Sequence, residues 1–139
     1  LDSRMFVSAF YLIIDTREKL LYYANAGHPY PIYLDRSGGN VEELKSDGTL
    51  LSVMDDSKYV TNATPIRSGS RVILYTDGMF DMKNKNGEFI SMDYVREITV
   101  RNARLGGYDF IDLLIGKMYK FANNRRFDDD INLIVIDFD

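Results

Sequence analysis

Apolar and β-branched residues recur in short runs along the first part of the chain, and polar turns separate these runs, which predicts antiparallel strands. The predicted strands cover residues 5–15, 20–24, 30–35, 41–44, 59–66, 71–77 and 131–138. The segments 59–66 and 71–77 are expected to pair with each other around the Gly-containing turn between them. Residues 46–57 are polar and irregular, as in a surface flap.

The pattern changes to a helical period after residue 90. A first helix is predicted to begin at Ser91, and Asp109 is the predicted N-cap of a second helix. The apolar face of the second helix is predicted to contain Ile111, Leu114, Ile115, Met118 and Ala122. Antiparallel strands with helices packed on a sheet face predict an α+β layered fold, with residues 1–139 in a single domain.

Composition excludes several classes of function. The net charge is −4 and the basic residues are scattered, which argues against a nucleic-acid-binding surface. No apolar run approaches the ~20 residues that a membrane span needs, so no membrane segment is predicted here. The chain has no cysteine, which excludes disulfides and thiolate metal sites and fits a cytoplasmic location.

Two carboxylates stand at the ends of predicted strands. Asp77 closes the run that precedes it, and Asp129 stands just before the last strand. If the two strands are neighbours, these side chains meet at one rim and offer the oxygen ligands that Mg²⁺ and Mn²⁺ prefer. Two simpler interpretations stay open: Asp77 and Gly78 could form only a turn, and residues 128–130 could form a solvated acidic loop. A bound cation would relieve the repulsion within that acidic triplet.

Other catalytic patterns are absent from the sequence. His28 is the single histidine, and in a Gly-Pro turn a structural hydrogen-bonding role is more common than a catalytic or ligand role. No cysteine nucleophile, G-x-S-x-G motif, phosphate-binding loop or EF-hand spacing is present. No catalytic residue beyond the metal ligands is therefore predicted.

Four motifs in order resemble a known family: MFVSAFY, YANAGHPYP, LYTDGM and DDDINLIVI. This series resembles the metal-dependent PPM serine/threonine phosphatases, and most closely their bacterial branch of stage II sporulation and RsbU-type phosphatases. The resemblance implies an α-β-β-α sandwich with two Mn²⁺ or Mg²⁺ ions in the complete domain. It implies Asp77 and Asp129 as metal ligands, with Asp130, Gly78 and His28 as secondary site residues. In that family a water held between the ions attacks phosphorus directly, without a phosphoenzyme.

The sequence departs from the family pattern in three places. The D-x-x-G-H-G-like motif that supplies a further Asp and a glycine carbonyl is not found, and it is expected upstream of Leu1 with two helices. Residues 1–139 are therefore expected to be the C-terminal portion of the domain, which alone binds Mn²⁺ weakly and is inactive. His28 stands where other relatives have an Asp at a third metal, and Asn132 replaces a Thr or Ser.

The resemblance also implies a biological setting. The expected substrate is a phosphorylated anti-sigma-factor antagonist in bacterial partner-switching signalling, with a sensor or regulatory domain upstream. The alternative is a catalytically inactive pseudophosphatase or a protein-interaction module. The expected missing segment would leave a sheet edge or an apolar face exposed, and a homodimer is one way to cover it.

Overall fold

The computed structural model describes residues 6–54, 56–123, 127 and 129–139. Met5, the predicted start of the first strand, and Asp128, the first carboxylate of the acidic triplet, lie outside the described residues. The chain divides into two compact units. The first unit contains Leu1–Tyr30 and Glu43–Arg67, and the second unit contains Pro31–Glu42 and Ser68–Asp139. In the described part of the chain, no helix is both long and apolar enough to cross a membrane.

Two sheets and two helices confirm the predicted α+β composition. The strands are β1 (Ala9–Asp15), β2 (Leu20–Ala26), β3 (Ile32–Asp35), β4 (Val41–Glu43), β5 (Asn62–Pro65), β6 (Ser70–Tyr75) and β7 (Leu133–Phe138). The helices are α1 (Met92–Arg101) and α2 (Gly107–Phe121). The first unit contains a three-stranded sheet with the order β1-β2-β5, and the other sheet has the order β4-β3-β6-β7.

The predicted pairing of β5 with β6 is wrong. β5 pairs with β2, whereas β6 lies between β3 and β7 in the other sheet. The connection between them explains the difference: the Ile66 amide still bonds to the carbonyl of Lys19, while the Gly69 amide bonds to the carbonyl of Phe138. Gly69 has a φ of +74°, a conformation that glycine adopts without steric cost, and the chain changes sheets at this point.

β6 is the central strand of the second unit. Five of its six residues are buried, as expected for a strand covered on both faces. α1 begins as predicted, with the Ser91 hydroxyl accepting a hydrogen bond from the Tyr94 amide at 3.2 Å. The core of this unit is formed by Ile32, Ile73, Tyr75, Met79, Met82, Ile90, Val95, Ile98, Phe110, Leu114, Met118 and Ala122.

The buried face of α2 differs from the predicted one. Phe110, Leu114 and Met118 form its buried stripe, so the prediction missed Phe110. Ile111 and Ile115 are only half-buried and line an open cleft instead. The buried face of α2 is therefore turned about the helix axis relative to the face predicted from the sequence.

The predicted N-cap of α2 is also wrong. α2 begins at Gly107 with Gly106 as its N-cap, and Gly106 has no side chain that could cap the helix. The carboxylate of Asp137 on β7 lies near this end of the helix instead, because a Cβ atom added to Gly107 would lie 3.5 Å from Asp137 Oδ2. A negative charge at this position also interacts favourably with the helix dipole. Asp109 lies within the first turn and is exposed.

Candidate metal centre

The antiparallel register of β6 and β7 brings the two candidate carboxylate segments to one rim. Tyr75 pairs with Leu133, so the chain leaves β6 and enters β7 at the same end of the sheet. Asp77 opens a short 3-10 turn just after β6, with Thr76 between them, and Asp129 and Asp130 come before β7, with two residues between them and the strand. We call these three exposed carboxylates the acidic rim.

Thr76 joins the two segments through three hydrogen bonds, which we call the Thr76 bridge. Its amide donates to the carbonyl of Asn132 at 3.1 Å. Its hydroxyl donates to the carbonyl of Asp130 at 3.2 Å and accepts from the amide of Asn132 at 3.0 Å. The bridge extends the contact between the segments beyond the last strand pair. Asn132 takes part through its backbone, so the departure from Thr or Ser at this position leaves the bridge in place.

Gly78 allows the two segments to approach closely. It is buried, and a Cβ atom added to it would lie 2.6 Å from the carbonyl oxygen of Asp130 and 3.4 Å from the Cβ of Asp129. Real Cβ atoms essentially never lie that close to an oxygen, so a side chain here would push the segments apart. The absence of a side chain at Gly78 therefore keeps Asp129 next to the turn that carries Asp77.

Among the described residues, two carboxylates of the acidic rim accept hydrogen bonds from the backbone amide that follows them. Asp77 Oδ1 accepts a hydrogen bond from the Gly78 amide at 3.1 Å, and Asp129 Oδ1 accepts one from the Asp130 amide at 2.7 Å. Among the described residues, no lysine or arginine forms an ion pair with any of the three. All three residues are exposed, so their remaining carboxylate oxygens are accessible to solvent.

Such a set of oxygen donors fits a hard divalent cation, since Mg²⁺ and Mn²⁺ prefer carboxylate and carbonyl oxygens. Within the described ranges, however, no group of three or more His, Cys, Asp or Glu side chains could hold a metal ion. The acidic rim therefore supplies part of a ligand set. The assignment of Asp77 and Asp129 as metal ligands stays a prediction.

His28 belongs to the other compact unit and has the hydrogen bonds of a turn residue. Its amide donates to Asn25 Oδ1 at 2.8 Å, and Asn25 Nδ2 donates to its carbonyl at 2.9 Å. The imidazole Nδ1 lies 3.2 Å from the hydroxyl oxygen of Ser8. These contacts agree with a structural role, while a secondary role at the metal site stays a prediction.

A cleft of about 690 Å³ adjoins the acidic rim in the second unit. Ile111 and Ile115 of α2 lie on one side, and the segment that carries Asp129 and Asp130 lies on the other. Sequence reasoning missed this cleft because it placed both isoleucines in the core. It also missed Thr76, although a threonine between a buried strand and a candidate ligand is a usable signal for a residue that orients that ligand.

Comparison with known proteins agrees with the family resemblance of the four sequence motifs. Residues 1–139 match the family Stage II sporulation protein E (SpoIIE). The chain is 22% identical over 135 residues to the phosphoserine phosphatase RsbU of Bacillus subtilis, covering 97% of this chain and 40% of that protein.

Two solved structures share the fold. The SiaA-PP2C domain of Pseudomonas aeruginosa has a TM-score of 0.84 at 22% identity, covering 95% of this chain and 52% of that one. The phosphatase domain of SpoIIE from Bacillus subtilis, presoaked with Mn, has a TM-score of 0.68 at 15% identity, covering 95% and 56%.

The chain thus spans about half of each solved phosphatase domain and 40% of RsbU. The resemblance and the fold inferred from the four motifs are confirmed by the family match and by the shared architecture. The chain belongs to the stage II sporulation protein E (SpoIIE) family of PPM-type phosphatase domains.

Proposed function

We propose that this chain is part of a metal-dependent protein phosphatase domain that hydrolyses phosphoserine or phosphothreonine in a protein substrate. The observation that carries the proposal is the acidic rim, where carboxylates from two chain segments are held together without an ion-pair partner among the described residues. Carboxylates that project from two adjacent segments are the oxygen ligands that a hard divalent cation prefers. The named activity of RsbU supports the same reaction.

In this proposal, Asp77 and Asp129 hold Mn²⁺ or Mg²⁺, with Asp130 and Gly78 in supporting positions. When bound, such ions supply an activated water and neutralise the charge that develops on the phosphoryl oxygens. The chain's own residues hold the carboxylates in place and keep the rim open to solvent. All three carboxylates are exposed, so a phosphoserine on the surface of a folded protein could reach them. The ligands that complete the set would come from the D-x-x-G-H-G-like motif expected in a longer parent protein.

The proposed biological setting rests on the resemblance to RsbU-type phosphatases. The substrate would be a phosphorylated anti-sigma-factor antagonist in the bacterial cytoplasm, and an upstream sensor or regulatory domain would control the activity. A homodimer remains part of the proposal, because β1 exposes apolar residues, including Tyr11 at 67% and Ile13 at 47% of their surface.

The test is hydrolysis of a phosphoserine protein by the full-length protein with Mn²⁺, comparing the wild type with Asp77→Asn and Asp129→Asn. Loss of a residue that hydrogen-bonds to a metal ligand already lowers metal affinity or activity about 10–100-fold. Loss of a direct ligand should therefore lower the activity by more than about a hundredfold. Asp93→Asn is the matched control, because Asp93 is exposed in the first turn of α1. Near-wild-type turnover by Asp129→Asn would remove that residue from the site.

One observation favours the non-catalytic alternative: the described residues offer no cluster of three metal-binding side chains. A pseudophosphatase or interaction module would bind the phosphoprotein without releasing phosphate. Phosphate release by the full-length protein distinguishes the two functions, because the enzyme must release phosphate in a Mn²⁺-dependent manner. Binding without any release in the wild type would support the interaction module.

A further inference from the structure

Thr76 occupies the position where the ladder between β6 and β7 ends. Tyr75–Leu133 is the last residue pair of the two strands, and Asp129 and Asp130 lie beyond it. We infer that Thr76 is a positioning residue that holds segment 130–132 against the end of β6 and so keeps Asp129 beside the turn of Asp77. The consequence for metal binding rests on the proposed function.

The hydroxyl of Thr76 is used twice. It donates to the carbonyl of Asp130 and accepts from the amide of Asn132, which is the full donor capacity and part of the acceptor capacity of a hydroxyl group. A single side chain thus satisfies one backbone acceptor and one backbone donor of the same segment. A valine has nearly the same shape, but it would leave both backbone groups without this partner.

The bridge acts against electrostatic repulsion. Asp77 and the pair Asp129 and Asp130 carry like charges on the two segments that Thr76 connects, and like charges at short range favour separation. Gly78 removes the steric obstacle to close approach, whereas Thr76 provides the attraction. Without the hydroxyl, the segment that carries Asp129 should open more often, although the strands behind it remain paired.

Two substitutions separate the hydroxyl from the shape of the side chain. Thr76→Val removes the hydroxyl and keeps the branching, whereas Thr76→Ser keeps the hydroxyl. Thr76→Ala provides a second hydroxyl-free variant in case the valine prevents folding. Thr99→Val is the matched control, because Thr99 is fully buried in the same unit and its hydroxyl donates to the carbonyl of Val95 at 2.8 Å.

The first measurement is amide hydrogen exchange of segment 130–133 in the metal-free, full-length protein. Exchange should be about fivefold faster in Thr76→Val and Thr76→Ala than in the wild type, which corresponds to the loss of about one hydrogen bond from the closed state. Thr76→Ser and Thr99→Val should exchange at the wild-type rate in this segment. Unchanged exchange in both hydroxyl-free variants would overturn the inference, and so would equally fast exchange in Thr76→Ser.

The second measurement is the affinity for Mn²⁺, measured by isothermal titration calorimetry with the metal alone. Thr76→Val should bind about tenfold more weakly, as expected for a residue that orients a ligand, whereas Thr76→Ser and Thr99→Val should stay within about twofold. Wild-type affinity in Thr76→Val would overturn the inference. If the wild type and Asp129→Asn both fail to bind Mn²⁺, the proposed function fails, while the exchange rates still decide whether Thr76 holds the segment.

Discussion

At one end of the β6–β7 pair Asp137 lies against two arginines, whereas at the other end Asp77, Asp129 and Asp130 have no ion-pair partner among the described residues. Both ends belong to the same compact unit and to the same two strands. The comparison shows how to separate a structural carboxylate from a candidate functional one. Compensation of the charge, rather than position at a strand end, is the distinguishing feature.

Compensation of Asp137 is nearly complete. Arg71, its register partner on β6, is fully buried and donates from Nε and Nη2 to the two carboxylate oxygens at 2.6 and 2.9 Å. Arg36 approaches the same carboxylate at 3.8 Å. Arg71 also donates to the carbonyl of Leu105 at 2.6 Å. This network ties β6, β7 and the segment before α2 together, and it neutralises the charge of Asp137.

The largest expected effect is on stability at the compensated end. Arg71→Met should lower the free energy of unfolding by about 3–5 kcal/mol, because it leaves the partly buried Asp137 without its main partner. Asp129→Asn should leave stability unchanged or raise it, since it reduces repulsion within the acidic rim. Urea denaturation of both variants measures the difference.

The double variant Arg71→Met with Asp137→Leu serves as the control. It should recover much of the loss, because replacing a whole buried ion pair with apolar side chains is often neutral. Arg71 Nη1 is buried without a hydrogen-bond partner among the described residues, which adds to the cost of the native pair. If Arg71→Met and Asp129→Asn were equally destabilising, compensation of charge would not distinguish the two ends.

The sequence predicts the acidic rim better than the compensated end. Asp77 and Asp129 flank clear apolar runs, so their strand-end positions follow from the pattern alone. Arg71 falls at the start of such a run, where a charged residue usually marks the strand boundary and faces solvent. Nothing in the local pattern indicates that it is buried or that its partner is Asp137, 66 residues away.

The errors in the fold have a similar cause. The spacing between β5 and β6 is compatible with a hairpin, and only contacts distant in sequence show that the chain changes sheets between them. Local capping residues predict Asp109 as the N-cap of α2, whereas the helix begins at Gly107, beside the Asp137 carboxylate of β7. Local patterns predict elements, while partners from other elements decide where these elements begin and which neighbours they have.

A smaller effect concerns the acid stability of the compensated end. Hydrogen bonds from Arg71 hold the pKa of Asp137 below the ordinary aspartate value of about 3.9. The unfolded chain therefore binds more protons than the folded chain between these two pKa values, and stability rises with pH across that window. The contribution is complete above about pH 5 and is lost as the pH falls through the folded-state pKa.

Asp137→Asn should therefore show a shallower loss of stability on acidification than the wild type, measured by urea denaturation at a series of pH values below about 5. Asp93→Asn, at an exposed helical position, should keep the wild-type slope. Identical pH dependence in Asp137→Asn and the wild type would show that the ion pair is formed to the same extent in the unfolded chain.

The smallest expected effect is that of His28→Ala, which tests whether the candidate site extends beyond the acidic rim. The hydrogen bonds between the His28 backbone and the Asn25 side chain do not involve the imidazole, so the turn should persist, and among the described residues the contact with Ser8 is lost. A general acid or base typically contributes about 10²–10⁴-fold to catalysis. We expect a decrease in kcat of less than about tenfold, measured on a phosphoserine protein with the full-length enzyme and Mn²⁺. A loss as large as that of Asp77→Asn would place His28 among the catalytic residues and would extend the functional site to a residue whose described contacts are those of a turn.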